Sequence, residues 1–84
     1  MMKMMNGHRS LEDGVLVAGA RGLRRLDRHG HELWVNHELA TDGVELGPIV
    51  GDAILGRGRF GDSGEWRGFA VSLATGVKIE WNGP

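Results

Sequence analysis

The sequence predicts an all-β chain with no significant helix, arranged as two four-stranded antiparallel sheets. Fifteen glycines and only two prolines punctuate short β-prone runs within 84 residues, the pattern of an all-β chain with many turns. Helical periodicity is nowhere sustained. Two stretches also end alike, at residues 26–34 and 70–81: a short apolar strand reaches a glycine turn and returns to a tryptophan. The tryptophans, Trp34 and Trp81, are 47 residues apart, a spacing that marks a repeated unit unable to bury its apolar face alone.

Residues 1–10 are expected to be a disordered leader, or a start placed upstream of a truncated reading frame. Asn6, Gly7, His8 and Arg9 stand where a signal peptide needs an apolar run of at least about 7 residues. The expected location is therefore the cytoplasm, or outside it if the chain is a fragment of a larger exported protein. No apolar stretch approaches the roughly 20 residues that span a bilayer, so no membrane partner is expected. Residues 11–84 then form one all-β domain of two repeats, 11–46 and 47–84.

Strands are predicted at 14–19, 23–27, 31–36, 47–50, 53–57, 66–73 and 77–82. The run 14–19 has its counterpart in 52–56, each leading toward one of the glycine turns. In 23–27, Arg24 and Leu26 face one side and Leu23, Arg25 and Asp27 the other, because side chains alternate along a strand. In 31–36, Glu32, Trp34 and Asn36 share a face, so neither side is cleanly polar. In 77–82 the alternation is clear and points Val77, Ile79 and Trp81 into a core. The mixed polarity of residues 37–47, ending before Pro48, reads as the connection between repeats.

Ten basic against eleven acidic residues leave a net charge of −1, and strand alternation splits the cluster Arg21, Arg24, Arg25 and Arg28 between two faces. No specific nucleic-acid partner is expected. The chain has no cysteine, which excludes disulfide staples and cysteine-ligated zinc. A chain this short buries only about 60% of its unfolded surface, so packing or self-association must supply its stability.

The repeated stretches resemble the pyrroloquinoline-quinone-like propeller repeat, whose usual pattern is Ala-Leu-Asp, two variable residues, Thr-Gly-Lys, two more residues, then Trp. The second copy keeps Ala70, Thr75, Gly76, Lys78 and Trp81, with Ser72 in place of Asp and one extra residue between Gly76 and Trp81. The first keeps Leu26, Asp27, Gly30 and Trp34. The resemblance covers most of residues 11–82 and implies two blade-like sheets of a partial β-propeller. It further implies that Trp34, Gly30, Trp81 and Gly76 dock one blade on the next. Closed propellers need about four to eight blades, so two would have to associate, belong to a larger protein or form an open sandwich. Quinone and Ca²⁺ in the family sit on the axis of a complete ring; no matching residues are present here, and no cofactor is expected.

Other motifs have plainer readings. Gly56, Gly58 and Gly61 satisfy the dinucleotide-binding glycine pattern, but the following residues do not start the helix that cradles a pyrophosphate. They also imitate the kinase phosphate-covering loop, without a catalytic loop or a second lobe. Tight hairpin turns are the expected reason for these glycines. Residues 61–64 match the core of the trypsin-type serine motif, but a serine needs a positioned base. His29 and His31 flank Gly30 as metal-ligand candidates, although a turn between them breaks the alignment of their rings. Trp66 has no counterpart in the first copy and, with Arg57 and Arg59, is the candidate ligand or partner contact. The expected function is a non-enzymatic module acting in protein–protein interaction or scaffolding, with itself or another protein as partner. The alternatives are a small-ligand or quinone-binding propeller formed by self-assembly and a kinase-like nucleotide binder.

Overall fold

The computed structural model describes residues 7–61 and 63–80, and each strand in it pairs with its neighbour in sequence. Strands β1 (His8–Leu11), β2 (Gly14–Ala18), β3 (Leu23–Asp27) and β4 (Glu32–Asn36) form one antiparallel sheet in that order. Strands β5 (Val44–Val50), β6 (Ala53–Phe60) and β7 (Glu65–Ser72) form a second. No described residue is helical, so no helix is long and apolar enough to cross a membrane.

Alternation along these strands builds one core between the sheets. The first sheet contributes Leu16, Ala18 and Leu23, and the second Val44, Ile54, Phe69 and Val71, all buried. The connection between them, residues 37–43, supplies Leu39 and Ala40, each 3% exposed. That connection is held on both sides. The N–H groups of Leu39 and Ala40 donate to the Arg21 carbonyl, and those of Thr41 and Asp42 to the Arg59 carbonyl.

The second sheet has three strands where four were expected. Residues 77–79 make one bridge to β7, Val71 opposite Lys78, flanked by hydrogen bonds from Ser72 N–H to the Val77 carbonyl and from Ile79 N–H to the Ala70 carbonyl. This register places Val77 and Ile79 on the face away from the first sheet, 61% and 41% exposed. The expected burial of that alternating stripe therefore does not occur for these two residues. Among the described residues the segment forms no ladder beyond that bridge. Trp81 lies outside the described residues.

The start of the chain differs too. His8, Arg9 and Ser10, within the expected leader, belong to β1. Its side chains are mostly polar, so no apolar alternation announces it. Ladder bonds to β2 and an Arg9 guanidinium donating to the Gly47 carbonyl at 2.6 Å hold it in place. At the boundary between sheets, β5 begins at Val44 and runs through Pro48. The register shift between Leu46 and Ile49 takes up Gly47 and Pro48, a bulge being one of the few places a strand accepts proline.

The glycine-rich stretch expected to be a turn is mostly strand: Gly56 and Gly58 lie inside β6, and neither has positive φ. Their reason is close approach. A Cβ at Gly58 would overlap the Leu39 carbonyl of the connection, and one at Gly56 would press on the Phe69 ring. Gly58→Ala should therefore cost about 1–3 kcal/mol, the range for overpacking a core, in urea unfolding. Unchanged stability would mean that the connection does not depend on this approach.

Candidate interaction site

Two polar turns organise the chain, and they are built alike. In the first, the Asp27 N–H donates to the His31 carbonyl while Asp27 Oδ1 accepts from the N–H groups of His29 and His31 at 2.8 and 2.9 Å. In the second, the Ser72 N–H donates to the Val77 carbonyl while Ser72 Oγ accepts from Ala74 and Thr75 at 3.2 and 3.3 Å. Short polar side chains favour such turns because they mimic backbone acceptors. Each turn contains a left-handed glycine, Gly30 at φ 86° and Gly76 at φ 77°, a conformation glycine adopts without the Cβ penalty.

The two turns have different neighbours. The Trp34 indole lies on Gly76, where a Cβ would overlap the ring. Its Nε1–H donates to the Leu73 carbonyl at 2.9 Å. Arg25 donates to the same carbonyl at 2.8 Å, and Asn36 Nδ2 to the Gly76 carbonyl at 2.8 Å. Trp34, Asn36 and Arg25 reach one face of the first sheet because Trp34 pairs with Arg25 and Asn36 with Leu23. Glu32 does not share that face as the alternation had implied. Leu33 is an extra residue at the register shift, and Glu32 pairs with Leu26 instead. Nothing among the described residues lies within 4 Å of a Cβ built at Gly30.

Of the four predicted docking residues, Trp34 and Gly76 meet directly, Gly30 stands apart, and Trp81 falls outside the described residues. Arg9, Arg25, Asn36 and the Leu73 carbonyl were missed. Their signal was weak: a polar residue on a strand becomes a clasp only when another sheet offers an unpaired carbonyl opposite it.

Trp66, Arg57 and Arg59 gather on the face of the second sheet turned away from the first. Arg59 pairs with Trp66 across the ladder, and the Arg57 guanidinium lies 5.4 Å from the Trp66 ring centroid, within the range of a cation–π contact. The charges are internally balanced: Arg57 pairs with Glu45, its Nε donating at 3.0 Å, and Arg59 lies 3.8 Å from Asp42. His29 and His31 are exposed, with ring centroids 6.2 Å apart and tilted 38°. No group of three or more metal-ligating side chains assembles among the described residues. Ser63 accepts from the Glu65 N–H at 3.3 Å within a polar turn.

Compared with known proteins, the chain matches no protein-family model, no curated relative and no solved structure.

The turns yield two predictions. Gly30→Ala suffers only the strain of positive φ, whereas Gly76→Ala also displaces the indole, so Gly76→Ala should lower the melting temperature more. In a Trp34→Ala background, which itself should cost about 3 kcal/mol as a large aromatic truncation, that excess should vanish. Additive effects would show that the indole and the glycine are not coupled.

Asp27 gives the second. The N–H of His31 lowers its carboxyl pKa most, partial desolvation opposes this, and the His29 N–H and both imidazoles add to the lowering. The folded pKa lies below the unfolded one, so the stabilisation is complete above the unfolded pKa and lost as pH falls through the folded value. Asp27→Ser keeps an oxygen acceptor, as Ser72 does, and should show a shallower acid limb in thermal melts. Parallel acid limbs would contradict the assignment.

Proposed function

We propose that the chain is a non-enzymatic, β-propeller-like repeat module that acts through protein–protein interaction, docking on itself or on a protein built from similar units. The observation carrying this reading is the clasp between its halves, in which Trp34 of one unit covers Gly76 of the next and hydrogen-bonds to Leu73. The like-built turn at Gly30 has no such cover among the described residues. Repeat units of this kind gain stability chiefly from the interface with a neighbour, and a two-unit chain has one such interface inside and two outward faces. The predicted docking role of Gly30 belongs to one of those outward faces.

Six large apolar side chains support the reading by their exposure: Leu33, Val35, Val50, Trp66, Val77 and Ile79. Apolar patches on a small soluble domain mark interaction surfaces when they are contiguous. The Gly56–Gly61 stretch favours no nucleotide, since its first two glycines serve strand packing.

Sedimentation of the purified chain should give a mass above the 9.1 kDa of one copy at tens of micromolar, a range in which obligate oligomers assemble. A folded monomer there would overturn self-docking as the function.

A further inference from the structure

The strand registers show which faces the two sheets use against one another, and they are not the same face. Asp27 and Ser72 occupy equivalent places at the openings of the two turns. Counting back from them, Leu26 pairs with Val15 and Val71 with Ile54, while Arg25 pairs with Leu16 and Ala70 with Leu55. Each unit therefore has one face bearing the first kind of pair and an opposite face bearing the second. Leu16 and Arg25 of the first sheet are turned to the second sheet, whereas the second sheet turns Ile54 and Val71 to the first. Unlike faces meet.

The faces left over are then the same unlike pair. The first sheet presents Val15, Leu26, Val17 and Val35, with a depression lined partly by Val17, Arg24, Leu26 and Val35. The second presents Leu55 with Val50, Trp66, Val77 and Ile79, while Ala70, which pairs with Leu55 on that side of the sheet, is itself buried. Resting on the function proposed above, we infer that a second copy of this chain docks head to tail, the Leu55/Ala70 face of its second sheet covering the Val15/Leu26 face of the first sheet.

Three observations select a second copy as occupant. The required pairing of faces is the one already formed inside the chain, so the outward faces continue that interface. The charged groups on them are paired locally, Arg24 with Glu32 at 3.4 Å and Arg57 with Glu45, leaving among the described residues of these faces no one-signed patch to select a polyanion. The Gly30 turn also offers the open glycine platform that Gly76 offers to Trp34. Such a contact is heterologous and generates a ring if its rotation closes and a filament if it does not.

The test uses two full-length variants with charges at exposed positions. Val35→Asp blocks the first-sheet face and Ile79→Asp the second-sheet face, and circular dichroism and melting check that each folds. If Ile79→Asp melts below wild type, Trp66→Asp replaces it on the same face; Arg24→Asp serves for Val35→Asp.

With wild type associating at tens of micromolar, each variant alone should sediment as a monomer. An equimolar mixture should form a dimer and nothing larger, since each partner keeps the face the other lacks. If one variant alone still associates, or the mixture stays monomeric, head-to-tail docking is wrong while self-association stands. If wild type itself is a folded monomer, the inference falls together with self-docking. A complex formed only with a different protein would also overturn the inference.

Discussion

The structure depends on one main-chain carbonyl. Leu73 sits in the turn after β7, where local pairing leaves its oxygen outside a sheet ladder, and two side chains from the first sheet converge on it: the Trp34 indole and the Arg25 guanidinium. A half-buried carbonyl without a partner is costly, and charged or aromatic N–H donors are effective ones. Satisfying it brings the indole down on Gly76 and Asn36 onto the next carbonyl. At the other end Arg9 does the same for Gly47. The apolar core between the sheets is small, and these polar clasps determine the position in which its halves meet.

Much of this was legible because it follows from local chemistry. β3 was predicted with the bounds observed, and the turns were marked by glycines whose positive φ no other residue adopts as readily. Trp34 and Gly76 were singled out through the resemblance, but their contact with each other was not. Three further features were not legible. β1 lacks an apolar alternation and exists through its ladder and one arginine. The expected fourth strand of the second sheet has a clear alternation, but Val77 and Ile79 lie on the outward face, so periodicity reported a stripe without reporting what it packs against. The glycines of β6 looked like a loop because sequence cannot distinguish a glycine needed for a turn from one needed for contact with another segment.

Strand pairing, rather than likeness of side chains, decides which face of each sheet is inward. Leu16 and Leu55 occupy equivalent rungs, yet the former is fully buried and the latter lies on the outward face. The difference arises because Leu16 lies between the two sheets and Leu55 lies on the far side of the second. Four of the six exposed large apolar residues, Val50, Trp66, Val77 and Ile79, lie on that same outward face, and Val35 lies on the outward face of the first sheet.

Both sheets are meanders, every strand paired with its sequence neighbour. The side-chain bonds joining the sheets span far more of the chain, 38 to 48 residues. Hairpins of this sort close small loops and form early, while contacts between distant segments are slow to form and are lost together. The coupling between the two halves therefore resides in the joint rather than in either half. Weakening the joint would bare to water the apolar face that each meander buries against the other, and a domain this small has little other core on which to rely.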